Sequence, residues 1–203
     1  MYNFEDKIKK ILMSRNKKNI SDLSKEKPLM TGKKYISAAI LFPLIQRNND
    51  FNVILTKRPE EMMHHPGQVC FPGGKYNFND KNMENCAKRE AREEIGMEKK
   101  CINVLGELDH CFTGTGFKIT PIVALINNNY IPKVNKREVS EVFEVPLNYF
   151  LDFENRKIIS NVYKGKNYSF YEYLWKDKKV WGSTAKIIVN FCDILKRYIN
   201  FRG

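Results

Sequence analysis

Apolar positions change their period several times along the chain, and each change marks an element. Phe4, Ile8, Ile11 and Leu12 fall at helical spacing, predicting a short amphipathic helix over residues 3–14 with a basic outer face. Residues 14–34 show little periodicity and read as a linker. A continuous apolar run at 37–45, a polar turn cluster at 46–50 and an extended stretch at 52–57 predict a hairpin. A brief strand at 68–71 leads into Pro72-Gly73-Gly74, where the glycines allow positive φ and close approach of backbone to a ligand. A helix over 82–95 follows, capped by Asp80 or Asn82 and ended by Gly96, with Met97 as its apolar contact. Cys86 and Ala87 on that helix are small enough to pack against a sheet. Strands at 102–113 and 117–127 flank Gly114-Thr115-Gly116, and residues 136–147 pass from strand to helix. A second hairpin spans 157–164 and 168–175. The closing helix, after Trp181-Gly182-Ser183-Thr184-Ala185, places Ile188, Phe191, Ile194, Leu195 and Tyr198 on its core face.

The 203 residues suit one domain with a sizeable core, 36–203, preceded by a helix and linker at 1–35. The net charge of +12 suits an anionic partner. Lys and Asn are abundant throughout, however, and no nucleic-acid module is recognisable, so nucleic acid is not expected as a partner. Five cysteines without a Cys-x-x-Cys pair fit reduced thiols better than disulfides or a zinc site. No run approaches ~18 apolar residues and the N-terminus lacks an apolar signal core, so the expectation is a cytoplasmic chain with no membrane partner. Its last residues are not a Ser-Lys-Leu-like peroxisomal address.

The densest chemistry lies at 71–97. Glu90, Glu93 and Glu94 stand at i, i+3 and i+4, within roughly 100° of one helix face. Arg89 and Glu93 could pair as on any solvated face. Glu90 and Glu94 are like charges at i,i+4, which costs a helix roughly 0.2–0.5 kcal/mol, and a divalent cation would offset it.

Residues 74–97 resemble the Nudix box: Gly, five residues, Glu, seven residues, then Arg-Glu-U-x-Glu-Glu-x-Gly-U with U aliphatic. Gly74, Arg89, Glu90, Ala91, Glu93, Glu94, Gly96 and Met97 match it. Asp80 replaces the first Glu, and eight residues instead of seven lead on to Arg89. Residues 54–74, ILTKRPEEMMHHPGQVCFPGG, resemble the upstream motif of the Nudix branch that cleaves coenzyme A. Leu55, Thr56, Arg58, His65, Gly67, Gln68, Phe71, Pro72, Gly73 and Gly74 carry that match, whereas Met63 stands where many members have Arg. Thr113, Gly116, Thr120, Pro121 and the Trp-Gly-x-Thr-Ala run continue it.

The resemblance implies an α/β Nudix fold, a mixed β-sheet sandwiched between helices. It implies Mg²⁺ or Mn²⁺, with Glu90 and Glu94 as leading ligands and Glu93 and the Gly74 carbonyl as contributors. Glu93, Glu94 and Glu138 are equal candidates for the general base, Glu141 and Glu144 are weaker positional matches to Glu138, and Arg89 is a partner that fixes a box carboxylate. Arg58, Lys57 and Lys75 are the candidate substrate cations, with His65 and Gln68 shaping the cleft. The implied reaction splits coenzyme A or an acyl derivative into 3′,5′-adenosine bisphosphate and 4′-phosphopantetheine, acylated or not. Two alternatives stay open: hydrolysis of another diphosphate (NADH, ADP-ribose, a nucleoside triphosphate, an RNA 5′ end), or a non-catalytic binding protein. Residues 1–35 could close over the substrate or a homodimer partner.

Overall fold

The computed structural model describes residues 4–15, 34–163 and 166–200, the side chains at 163, 166 and 198–200 excepted. Most of the expected linker, the tip of the second hairpin and the Tyr198 ring lie outside the described residues. In chain order the elements are α1 (Phe4–Ser14), β1 (Ile36–Arg47), β2 (Asp50–Lys57), β3 (Val69–Cys70), β4 (Gly73–Lys75), α2 (Met83–Ile95), β5 (Ile102–Glu107), β6 (Cys111–Phe112), β7 (Phe117–Ile126), β8 (Glu141–Pro146), α3 (Leu147–Leu151), β9 (Lys157–Tyr163), β10 (Lys166–Trp175), β11 (Lys178–Trp181) and α4 (Gly182–Asn200).

The apolar run of β1 is buried along most of its length because it lies at the middle of an eight-stranded mixed sheet, covered on both faces. It runs parallel to β7 and antiparallel to β2 and β4. One face packs Leu41, Ile54 and Ile122 against Ala87, Ala91 and Ile95 of α2. The other packs Phe42, Leu55 and Val123 against Ile188 and Phe191 of α4, Ile8 and Leu12 of α1, and Tyr173 of a second, three-stranded sheet β9-β10-β11. The result is a helix–sheet–helix sandwich, and α1 belongs to its core.

Asn48 and Asn49, both at positive φ, make the β1–β2 turn in two residues. The strands then part: β1 and β2 pair only from Leu44–Val53 to Arg47–Asp50, after which β1 takes β4 and β2 takes β3 as antiparallel neighbours. Residues 69–75 thus fill a wedge in the sheet, directly above α2.

Three expectations need correction. Gly73 and Gly74 are not at positive φ; they form β4. What each position requires is the absence of a side chain, since a Cβ on Gly73 would lie 2.5 Å from the Ala39 carbonyl oxygen and one on Gly74 2.5 Å from the Glu90 carboxylate. The stretch at 102–113 is two strands, because regular pairing with β7 lapses at residues 108–109, after the Gly106 irregularity, before β6 rejoins β7. Lys178–Trp181, too polar to stand out, forms a third strand by pairing with β10. All five cysteines are free thiols. Among the described residues no helix is long and apolar enough to cross a membrane.

Candidate active site

Helix α2 starts where the Asn82 side chain accepts from the Asn85 amide, and it ends at Gly96, whose φ of +67° closes the last turn while Met97 is buried behind it. Asp80, the other cap candidate, does a different job. It closes the preceding 3-10 turn by accepting from the Asn77 amide at 2.7 Å, and it takes the Arg89 guanidinium in a fork, Nε to Oδ1 at 2.7 Å and Nη2 to Oδ2 at 3.1 Å. These bonds hold the Asp80 carboxyl below its ordinary pKa, with Arg89 the larger cause. Arg89 also donates to the Lys75 carbonyl and pairs with Glu90 at 2.8 Å and Glu93 at 2.9 Å. One arginine therefore ties the turn before α2, the strand above it and two of its glutamates together.

Away from Arg89 the helix buries a carboxylate with little to compensate it. Glu94 is 4% exposed, and its carboxylate accepts one bond, from the Gly73 amide at 3.2 Å. Burial pushes its pKa up to about 8, reinforced by Glu90 and Glu138 and opposed by the Gly73 amide and Arg58. Burial likewise raises Glu90, against the pull of Arg89, and Glu93 and Glu138 add to the rise. Glu93, half exposed, points outward to Arg89.

Glu138 reaches this pair from the loop between β7 and β8. That loop is fastened to the end of α2: the Lys133 and Asn135 amides donate to the Ile95 and Glu94 carbonyls, and Tyr130 donates its hydroxyl to Ile95. These bonds satisfy helix-end carbonyls that would otherwise lack partners. Asn135 then grips Glu138, donating Nδ2 to Oε1 at 2.9 Å while its carbonyl accepts from the Glu138 amide. Asn135 was not singled out by sequence; the available signal was an Asn in a polar stretch, where its Oδ1 can accept from the amide two residues on, as it does from Arg137. Glu141 pairs with Lys178 and Glu144 with Arg47, so neither joins the cluster.

A buried Glu94 whose pKa is raised by burial and by the neighbouring Glu90 and Glu138 carboxylates belongs to an oxygen donor set, which fits a hard divalent cation. Among the described residues no three acidic, histidine or cysteine groups converge into a finished cage. Glu90 would have to turn from Arg89 toward Glu94 to complete one. The Gly74 carbonyl faces the Cys86 thiol at 3.8 Å.

The substrate candidates divide between the two faces of the sheet. Arg58 takes the α2 face, beside Glu94 and Cys70, and its Nε is buried with no hydrogen-bond partner among the described residues. Lys57, next to it on the strand, takes the opposite face with His65 and Gln68, on a cavity of about 380 Å³. Lys75 is not brought to either group; its ammonium lies 5.9 Å from the Phe117 ring centroid. Met63 stands 93% exposed on the loop after β2.

A wedge-split mixed sheet between helices, with an acidic helix beneath the wedge, matches what comparison with known proteins finds. A family profile described as the NUDIX domain matches residues 34–164. The chain belongs to the Nudix family, and its chemistry is hydrolysis of a diphosphate bond. It is 35% identical over 151 residues to a Yersinia enterocolitica protein described as an uncharacterized Nudix hydrolase, NudL, covering 74% of this chain and 77% of that one. The NudL of Yersinia pestis is also 35% identical, with 75% of its length covered. Among solved structures, a MutT protein from Methanosarcina mazei aligns over 86% of this chain and 99% of its own with a TM-score of 0.50 and 21% identity. DR0079 from Deinococcus radiodurans aligns over 80% and 88% with a TM-score of 0.51 and 12% identity. These two likenesses speak for the fold.

Proposed function

We propose that the chain is a coenzyme A diphosphatase, hydrolysing coenzyme A or an acyl-CoA to 3′,5′-adenosine bisphosphate and 4′-phosphopantetheine or its acyl derivative. The observation that carries this reading is Arg58, a residue of the upstream motif, whose guanidinium stands beside Glu94 with a buried, unpartnered Nε. A buried donor of that kind costs stability unless a ligand satisfies it, and a diphosphate oxygen is a fitting acceptor.

Glu90 and Glu94 would hold Mg²⁺ or Mn²⁺, with Glu93 and the Gly74 carbonyl as further donors. Such an ion, when bound, supplies charge to the phosphate oxygens and acidifies water. The chain's own residues do the remainder. Arg58 orients the diphosphate from the α2 face. A carboxylate takes the proton from the attacking water, and Glu138, held by Asn135 on a loop outside the helix, is the candidate whose oxygens are least committed to an ion. Arg89, forked to Asp80, keeps the acidic face in register with β4.

Incubation with coenzyme A, NADH and ADP-ribose separately, each with Mg²⁺ or Mn²⁺, followed by mass spectrometry of the products, tests the reading. Release of phosphopantetheine from coenzyme A well ahead of the other reactions is expected. Turnover of NADH or ADP-ribose alone would overturn the substrate while keeping the chemistry. Met63 favours that second reading, because the arginine common at its position is replaced by an exposed apolar side chain.

A further inference from the structure

Arg58 and Glu138 lie on separate segments, and one exposed side chain joins them. Arg58 follows the last residue of β2 and precedes Pro59, which has no N–H to offer a ladder and confines its predecessor to extended backbone. Beyond the proline the chain folds back, the Gly67 amide donating to the Pro59 carbonyl at 3.2 Å. At such a strand end, what holds the arginine's backbone decides where its guanidinium stands. The Arg58 amide donates to the Gln68 carbonyl at 3.0 Å. Its carbonyl accepts from the Ser140 hydroxyl at 3.2 Å, which shares its one proton with the Lys57 carbonyl at 3.0 Å.

Ser140 stands just after Glu138 on the loop that Asn135 fastens to α2, and Val139 between them is buried in the core beneath that helix. The serine is therefore anchored without help from its own side chain. Its amide donates to the Lys57 carbonyl at 2.8 Å, continuing the β2–β8 ladder past the Lys57–Glu141 pair. That bond belongs to the backbone, and any residue but proline could make it. What serine adds is the hydroxyl, and the hydroxyl reaches an atom that the ladder does not, the Arg58 carbonyl oxygen. Ser140 is exposed, so a polar side chain here answers no demand of the core.

We propose that Ser140 is a positioning residue for the hydrolysis: its hydroxyl fixes the backbone of Arg58, and so the place where the guanidinium meets the diphosphate relative to Glu138 and Glu94. The proposal rests on the reading that Arg58 contacts the diphosphate. It does not depend on what the diphosphate joins.

The test is a double-mutant cycle on kcat/KM, followed on whichever of coenzyme A, NADH and ADP-ribose is turned over. Ser140→Ala should lower kcat/KM by about tenfold, a fraction of the about hundredfold loss that a 1 Å misplacement brings. Its melting temperature should stay within about 2 °C of the wild type, as for other exposed side chains. Ser140→Thr, which keeps the hydroxyl, should restore the rate. In an Arg58→Ala background the Ser140→Ala loss should vanish, whereas in Asn135→Ala, which loosens Glu138 instead, it should persist in full. A Ser140→Ala loss undiminished by Arg58→Ala, a wild-type rate in Ser140→Ala, or a threonine variant as slow as the alanine one overturns the proposal and leaves the reading of Arg58 intact. Arg58→Ala as fast as the wild type removes that reading and the proposal with it. A second measurement is independent of turnover: hydrogen exchange at the Arg58 Nε–H, identified in ¹H–¹⁵N spectra by its absence from Arg58→Ala, should be faster in Ser140→Ala than in the wild type. Unchanged exchange overturns the proposal even where no substrate is cleaved.

Discussion

The two sides of α2 handle acidic residues in opposite ways. On the Arg89 side the charge is closed: Asp80 is buried, forked to a guanidinium and stabilised in its ionised form. On the Glu94 side it is open: Glu94 is buried with a single backbone amide as its hydrogen-bond donor among the described residues, and burial favours its protonated form. The first arrangement serves folding. The second is a cost that folding alone gives no reason to accept, and it identifies the charges held for a ligand.

The sharpest break of this contrast is Glu94→Gln. Turnover should fall by at least about a hundredfold, on the scale seen when one stabilising group is removed from a reacting centre. Stability should move the other way. The Glu94 pKa is raised from 4.5 to about 8 in the folded chain, so between those values the folded state holds the extra proton, and the metal-free wild type should lose stability as pH rises through that window. The variant should lose this slope and melt higher at neutral pH, as thermal scans against pH would record.

Asp80→Asn tests the closed side. Breaking the fork should cost about 2 kcal/mol in denaturant titration, in line with charged hydrogen bonds. Because Arg89 holds the Asp80 pKa down, the wild-type contribution is present above the ordinary carboxylate range and is lost as pH falls through the lowered value, whereas the variant should show no such loss. Asn135→Ala should be milder, lowering kcat by about tenfold with little change in KM if Glu138 takes the proton, since a general base still present but poorly held loses only part of its value. Smallest is Met63→Arg, expected to lower KM for coenzyme A by less than about tenfold, the worth of one exposed charge contact; an unchanged KM would show that position 63 lies outside the substrate path.

How much of this was legible in the sequence depended on the range of the interactions. The acidic helix, its Asn82 and Gly96 ends and the burial of Cys86 and Ala87 follow from local spacing, and the structure has them there. The Gly73-Gly74 pair was misread because composition gives a glycine's freedom but not its neighbours. Here the neighbours are the Ala39 carbonyl and the Glu90 carboxylate, both distant in sequence. Lys57 and Arg58 look alike as letters, and only the position of the strand within the sheet sends one to Glu94 and the other to the cavity. Strand β11 and the grip of Asn135 on Glu138 depend on partners that no local pattern announces.

The loop that carries Glu138 is bonded through Lys133 and Asn135 to the last carbonyls of α2, the helix that carries Glu90 and Glu94. In hydrogen-exchange terms the two form one cooperative unit. Amides of the loop and of the helix end should open together, at a free energy below that of the central strands. A cation bound across Glu90 and Glu94 would slow exchange in the loop as well as in the helix, so occupancy of the site could be followed at residues that never touch the ion.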